Sequence, residues 1–177
     1  DQAVSVRYPK GPIPAQDGQI KTPVSNKKAE VMVEFSKTRL KQFDVLLIGV
    51  GSMAWPSYEA AKILQDRGIN CAVINPRFVK PLDTQTIGDY INRSEKVVVI
   101  EEGYAVGGVF HYILNQFSDH SKPLSDWHQI AFPDHFIDHG KIKTLMKKYG
   151  LTTEGIAEKV ESWAKQETKV TSPPLVF

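Results

Sequence analysis

The spacing of apolar residues predicts five strands between residues 29 and 132, one of them half-buried and four buried. Residues 29–35 alternate between apolar and polar, which is the pattern of a half-buried strand. Residues 44–51 are almost continuously apolar and end in glycines, as strands of a buried parallel sheet do. Residues 71–74 and 96–101 share this second pattern, and 128–132 form a shorter run of the same kind. The pattern therefore predicts a mostly parallel, buried sheet that includes one half-buried strand.

Helical periodicity fills the intervals between these strands. One helix is predicted to end at Gly68, and Asp83 is expected to cap another that runs through Arg93. A third helix is predicted over about 107–117. Two helices close the domain, with apolar faces at Ile142, Leu145, Met146, Tyr149 and at Ile156, Val160, Trp163, Ala164. This alternation predicts a three-layer α/β/α domain with a mostly parallel sheet over residues 29–166.

The residues on either side of this domain have a different composition. Residues 3–8 have a strand pattern but no neighbouring strand in the sequence, so we expect the chain to be a piece of a longer polypeptide. Residues 12–28 are rich in proline, glycine and polar residues, which predicts a linker. Residues 167–177 lack periodicity and are predicted to form a loose tail.

Composition excludes several classes of function. The 22 basic and 20 acidic residues give a net charge of +2, which argues against a dedicated nucleic-acid binder. No apolar run approaches the roughly 20 residues of a membrane span. A single cysteine, Cys71, excludes an internal disulfide framework and a four-cysteine zinc site. His135 and His139 are four residues apart, but Pro133 and Gly140 flank them, so we predict no metal site there.

Parallel sheets tend to place function at the carboxyl ends of their strands. Here these ends lie near 49–53, 75–80 and 101–108. The glycines at 49 and 51 are better explained by a tight strand-to-helix turn than by a dinucleotide loop. Glu101 and Glu102 are adjacent in a strand, so their side chains should point to opposite faces. We expect one to cap or position the helix start near Gly107-Gly108 and the other to meet a neighbouring domain or subunit.

Several stretches, which occur in the same order as in the family, resemble the 1-deoxy-D-xylulose-5-phosphate synthases, and the resemblance extends over residues 4–165. They are Val6-Arg7-Tyr8-Pro9-Lys10-Gly11, Arg77-Phe78-Val79-Lys80-Pro81-Leu82-Asp83, Glu101-Glu102 with Gly107-Gly108, Pro133-Asp134 with Phe136-Ile137 and His139-Gly140, and residues 149–156. The resemblance implies that residues 1–11 end a pyrimidine-binding domain. It also implies that the remainder is a transketolase C-terminal domain with a five-stranded mixed sheet, whose first strand is antiparallel to the others.

The resemblance also implies a function for the longer protein. The family condenses pyruvate with glyceraldehyde 3-phosphate on thiamine diphosphate and Mg²⁺, as a homodimer in the cytoplasm or a plastid. No Gly-Asp-Gly diphosphate motif occurs in this chain, so we expect no catalytic residue and no bound cofactor here. Lys10, with Arg7, is the implied substrate-phosphate contact, although the family usually has arginine at position 10. Glu101, Glu102 and His139 are the implied interface residues.

Three alternatives remain open at this point. The first is the beta subunit of a 2-oxo acid dehydrogenase, because Glu102 is followed by Gly103-Tyr104 as in those subunits. In addition, Phe110 stands where the synthases commonly have a third glycine. A transketolase is a second alternative. A non-catalytic interaction module derived from the family is the third.

Overall fold

The computed structural model describes residues 3–6, 24, 27–36, 42–117 and 122–166. Their regular elements are β1 (Glu30–Glu34), β2 (Phe43–Gly49), α1 (Ala54–Asp66), β3 (Cys71–Asn75), α2 (Thr84–Asn92), β4 (Ser94–Tyr104), α3 (Val109–Gln116), β5 (Trp127–Phe132), α4 (Ile142–Lys148) and α5 (Thr153–Ala164). Two 3-10 turns, Gly51–Met53 and Leu124–Asp126, precede α1 and β5. All five strands and all five helices predicted between residues 29 and 166 are present.

The strands form one mixed sheet in the order β1-β3-β2-β4-β5. Strands β2 to β5 are parallel, whereas β1 is antiparallel to β3 and pairs Glu30 with Asn75. This confirms the predicted fold class, including the antiparallel first strand. The carboxyl ends of β2 to β5 therefore lie in one row. This row of strand ends, with the loops that follow, is here called the carboxyl edge, and the opposite row of strand ends is called the amino edge; neither name refers to the outermost strands β1 and β5. Because β1 runs the other way, the chain enters it from the carboxyl edge.

Helices cover both faces of the sheet. On one face, Val45, Leu47, Val73 and Val98 are fully buried under α1 and α5. On the other, Leu46, Ile48, Ala72 and Val97 are fully buried under α2 and α3. The central strands are continuously apolar because both of their faces enter a core.

Two glycines end helices as predicted. Gly68 follows α1 with a φ of 85°, and Gly150 follows α4 with a φ of 69°. Residues with a side chain rarely adopt this left-handed conformation, which glycine adopts without strain. Strand β4 continues beyond its predicted end at 101, because Tyr104 pairs with Phe132 after a register shift.

The strand predicted at residues 3–8 is not observed in its described part. Residues 3–6 have no regular structure, and Val4 and Val6 are 82% and 75% exposed. A strand needs a hydrogen-bonding neighbour, and no described strand pairs with these residues. Residues 7–23 and 167–177 lie outside the described residues, so the linker and tail boundaries stay predictions. No helix in the described part of the chain has the length and apolarity needed to cross a bilayer.

Candidate functional site

The turn between β2 and α1 is the first of the loops that build the carboxyl edge. A Cβ added to Gly49 would lie 2.6 Å from the Ala54 Cα and 2.8 Å from the Met53 carbonyl oxygen. Gly51 has a φ of 59°. Gly49 therefore permits the close approach of strand and helix, and Gly51 supplies the left-handed backbone conformation, in agreement with the interpretation as a tight turn.

Glu101 is a buried carboxylate at the carboxyl end of β4. Its Oε2 accepts a hydrogen bond from the Val109 backbone N–H at 2.8 Å, and its Oε1 accepts from the Phe110 N–H at 3.0 Å and from Gln129 Nε2 at 2.9 Å. Only 3% of the residue is exposed. The carboxylate thus occupies the amino terminus of α3, where it satisfies unpaired N–H groups and complements the helix dipole.

Two glycines make room for this carboxylate. A Cβ on Gly103 would lie 2.6 Å from Glu101 Oε2, and a Cβ on Gly108 would lie 2.6 Å from Oε1. The sequence analysis expected one of the two glutamates to position this helix start, and the structure identifies it as Glu101. Since its own carboxylate fills the α3 amino terminus, that terminus has no space for an anionic ligand.

Glu102 points away from Glu101, as expected for adjacent strand residues. Its side chain is exposed, and Ser52 Oγ in the β2–α1 turn donates a hydrogen bond to Glu102 Oε2. This contact joins the turn after β2 to the end of β4, and the chain order of the strands reverses between these two neighbouring strands. The sequence analysis did not identify Ser52, because nothing in its local pattern predicts a partner fifty residues away.

The Arg-Phe-Val-Lys-Pro-Leu-Asp motif connects β3 to α2, and its first residue forms an ion pair. Arg77 Nη2 lies 2.9 Å from Glu30 Oε1, with side chains only 7% and 14% exposed. Arg77 has a φ of 58°, and its backbone N–H donates to Asn75 Oδ1. The motif therefore fixes β1 to the loop after β3, a role that the sequence analysis did not assign.

Asp83, the last residue of that motif, caps α2 and holds the start of β1. Its Oδ1 accepts from the Thr86 N–H at 3.2 Å, and its Oδ2 accepts from the Ala29 N–H at 3.0 Å. Lys28 Nζ lies 3.3 Å from Oδ1. Burial alone would raise the pKa of Asp83, but the hydrogen bonds from Thr86, Ala29 and Lys28 outweigh it and lower the pKa. The carboxylate is therefore ionised at neutral pH.

The loop after β5 carries His135 and His139, and both side chains are exposed. Among the residues that the structure describes, no three His, Cys, Asp or Glu side chains come close enough together to hold a metal ion. The predicted substrate-phosphate residues, Arg7 and Lys10, lie outside the described residues. The predicted interface residues all lie at the carboxyl edge: Glu101 and Glu102 are near the end of β4, and His139 is in the loop after β5.

Apolar side chains in solvent are the second feature of the carboxyl edge. The loop after β4 exposes 48% of Tyr104 and 66% of Val106. The segment after β5 exposes all of Phe136 and 68% of Ile142. These residues were not predicted as a group, because the sequence pattern does not distinguish an exposed apolar residue from a buried one outside periodic segments.

An open groove lies between β5 and α5, on the face of the sheet covered by α1 and α5. The rings of His128 and Trp163 stack there with centroids 5.1 Å apart, and Lys159 lines the same groove. Burial, and then the charge of Lys159, lower the pKa of His128, so this imidazole is neutral at pH 7. Glu158 also lines the groove, but no described hydrogen bond joins its carboxylate to His128.

Comparison with known proteins identifies the relatives of this chain. The family model for the transketolase C-terminal domain matches residues 36–156. A 1-deoxy-D-xylulose-5-phosphate synthase from Caldanaerobacter subterraneus subsp. tengcongensis is 37% identical over 160 residues, covering 90% of this chain and 24% of the relative. The corresponding synthase from Symbiobacterium thermophilum is 34% identical over 165 residues, covering 92% of this chain and 24% of the relative. The chain thus spans about a quarter of the length of these curated relatives.

Solved structures give a consistent result for the fold. A split-gene transketolase, solved as an inactive beta4 tetramer, matches with a TM-score of 0.66 and 24% identity, over 78% of this chain and 42% of that chain. A transketolase from Pichia stipitis matches with a TM-score of 0.55 and 17% identity, over 79% of this chain and 18% of that chain. At these identities the match concerns the fold alone.

Proposed function

The chain belongs to the transketolase C-terminal domain family, and from this premise we propose that it is the C-terminal domain of a 1-deoxy-D-xylulose-5-phosphate synthase. The observation that carries the proposal is the similarity to such synthases over about 90% of the chain. The motifs recognised in the sequence support the same family member. The longer protein would condense pyruvate with glyceraldehyde 3-phosphate and release carbon dioxide, in the cytoplasm or a plastid.

The described residues do not suit the cofactor site of such an enzyme. Thiamine diphosphate supplies the electron sink for decarboxylation when it is bound. Its diphosphate needs a metal site, and no three described acidic, histidine or cysteine side chains converge. The buried carboxylate of Glu101 already has three hydrogen-bond donors of its own. In this proposal the cofactor and Mg²⁺ bind in parts of the polypeptide outside this chain, and this domain contributes to assembly and to closure of the substrate site.

Lys10 and Arg7 are proposed to bind the phosphate of the aldehyde substrate. An ammonium group supplies charge but not the two-pronged contact of a guanidinium. We predict that Lys10→Ala in the longer protein raises the KM for glyceraldehyde 3-phosphate by about tenfold or more, because a charge-assisted hydrogen bond contributes about 1.5–3 kcal/mol. The KM for pyruvate should stay within about twofold, and Lys10→Arg should retain tight binding. Equal rises for both substrates would remove Lys10 from the phosphate site.

The interface role is proposed for Glu102 and His139, with Glu101 acting through the loop that it holds. Glu102 and His139 are exposed on different loops of the carboxyl edge. Their partners would be the preceding domains of the same polypeptide or the second subunit of a homodimer. Glu101 is buried, so its contribution to an interface would be to fix the conformation of residues 102–108.

Product analysis tests the proposed function. The full-length gene product, supplied with pyruvate, glyceraldehyde 3-phosphate, thiamine diphosphate and Mg²⁺, should form 1-deoxy-D-xylulose 5-phosphate and carbon dioxide in equal amounts. The 177-residue chain alone should form neither. An intact protein that forms no deoxyxylulose phosphate would contradict the proposal, and turnover by the chain alone would contradict the assignment of catalysis to other domains.

Transketolase activity is the second candidate, since the chain shares its fold with transketolases. That reaction transfers a two-carbon unit from a ketose phosphate and releases no carbon dioxide. The same protein sample assayed with xylulose 5-phosphate and an aldose phosphate would distinguish the two activities.

A further inference from the structure

Exposed apolar residues are distributed unevenly over the sheet edges. Four of them, here called the carboxyl-edge patch, lie at or after the ends of β4 and β5: Tyr104 ends β4, Val106 follows it, Phe136 lies in the loop after β5, and Ile142 begins α4. These two strand ends are neighbours, because the Ala105 N–H donates to the Phe132 carbonyl at 2.7 Å. At the amino edge, a single large apolar side chain is exposed among the described residues, that of Leu124 at 72%. Several exposed apolar side chains in one region are characteristic of an interaction surface, whereas a single one is not.

The loop that carries half of this patch has a fixed conformation. Glu101 holds its carboxylate against Gly103 and Gly108, within hydrogen-bond distance of the first N–H groups of α3. The Ser52 hydroxyl holds Glu102 from the neighbouring turn. Tyr104 and Val106 are therefore presented on a loop anchored at both ends, which reduces the entropic cost of docking a partner.

The direction of β1 indicates which partner reaches this patch. Glu30, the first residue of β1, pairs with Asn75, the last residue of β3, so the preceding polypeptide arrives at the carboxyl edge. Asp83 fixes that entry point through the Ala29 N–H and Lys28. The curated relatives are about four times as long as the chain, which matches 24% of them.

We propose that the carboxyl-edge patch docks the domain that precedes β1 in the full-length protein. This inference rests on the proposed function, because it takes the chain to be one domain of a longer enzyme. It goes further by assigning the docking surface to Tyr104, Val106, Phe136 and Ile142, and by assigning to Glu101 the positioning of the loop between β4 and α3.

Hydrogen exchange measured by mass spectrometry tests the proposal, with the full-length protein and the 177-residue chain compared under identical conditions. Peptides covering 102–108 and 133–142 should exchange at least about tenfold more slowly in the full-length protein. The peptide covering 122–127, with exposed Leu124, is the matched control and should exchange at the same rate in both. Equal exchange of all three peptides in the two proteins would overturn the proposal.

Two further outcomes are decisive. Slower exchange of 102–108 in the isolated chain as its concentration rises would identify a second copy as the occupant and overturn the proposal. Product analysis on the same full-length sample separates the inference from the proposed function. Protection of the patch without deoxyxylulose phosphate would support the docking surface and contradict the synthase, whereas product without protection would do the reverse.

Discussion

The two edges of the sheet differ in their exposed apolar side chains, although both pair polar groups by hydrogen bonds. At the amino edge, Asp44 Oδ2 accepts from the Asn70 N–H at 2.7 Å and from its side-chain amide at 3.1 Å. Lys122 Nζ donates to the Ser94 carbonyl at 2.6 Å, and Lys96 Nζ donates to carbonyls at the end of α5. The carboxyl edge also pairs its polar groups, but it leaves Tyr104, Val106, Phe136 and Ile142 in solvent.

This difference shows where the domain is complete by itself. Among the described residues, every buried side-chain nitrogen and oxygen atom has a hydrogen-bond partner within the chain. The exposed apolar surface of the carboxyl edge would gain from a partner by about 25 cal/mol for each Å² removed from water. Stability of the isolated chain and docking to other domains should therefore depend on different residues of the same edge.

The largest expected effect is on the stability of the carboxyl edge itself. Glu101→Ala leaves the N–H groups of Val109 and Phe110 and the Gln129 amide without their buried acceptor, and it should lower the free energy of unfolding by about 4 kcal/mol. Glu102→Ala removes a neighbouring carboxylate that is exposed and should cost less than about 0.5 kcal/mol. Urea denaturation of the 177-residue chain measures both. Similar losses for the two variants would contradict the described roles.

A somewhat smaller effect is expected where β1 joins the carboxyl edge. Arg77→Met leaves Glu30 as a buried unpaired carboxylate and should destabilise the chain by about 3 kcal/mol. The double variant Arg77→Met/Glu30→Met removes both charges and should be more stable than Arg77→Met alone. Urea denaturation of the single and double variants compares their free energies of unfolding. A double variant less stable than Arg77→Met alone would show that the ion pair is not what holds β1.

The smallest of the three effects depends on pH. Asp83→Asn keeps one acceptor oxygen but loses the second, so it should cost about 1 kcal/mol at pH 7. The pKa of Asp83 in the folded chain lies below its ordinary value of 3.8. The carboxylate therefore contributes stability above about pH 4, and this contribution is lost as the pH falls through the folded pKa.

Denaturation of both proteins from pH 7 to pH 2 checks this linkage. The difference between wild type and Asp83→Asn should be constant above pH 5 and should narrow below pH 4. Thr152, which caps α5 through the Gly155 N–H, offers a control because Thr152→Ser removes no charge. A difference that widens as the pH falls would mean that the folded pKa is raised instead.

The strands and helices could be predicted from the sequence because each is specified by its own local pattern. The alternation along β4 assigns the two glutamates to opposite faces, but it does not determine which one is buried, because both faces of this strand enter a core. Val97 and Val99 face α2 and α3, and Glu101 continues that series onto the same face. The antiparallel placement of β1, in contrast, came from the family resemblance, since the pattern of residues 29–35 does not specify a direction.

The contacts across the carboxyl edge could not be predicted in this way. Arg77 and Glu30 are 47 residues apart, and Ser52 and Glu102 are 50 residues apart. Such pairs depend on how the strands are ordered in the sheet, which local patterns do not determine. The exposure of Tyr104 and Phe136 could not be predicted either, because an apolar loop residue is equally compatible with a core and with a docking surface.

The measurement that most directly tests docking at the carboxyl edge is thiol labelling of matched single-cysteine positions. Cys71 is buried, and burial together with the charge of Asp44 raises its pKa to about 12, so the native thiol should not react. Val106→Cys and Leu124→Cys place thiols at sites that are 66% and 72% exposed. Peptide mapping then gives the maleimide labelling rate at each position in the chain and in the full-length protein.

The two positions should label at similar rates in the isolated chain. In the full-length protein, labelling at position 106 should slow by about tenfold or more, because docking covers the loop between β4 and α3, while position 124 should keep its rate. Equal labelling at both positions of the full-length protein would contradict the account of the carboxyl edge as the surface that meets the preceding polypeptide.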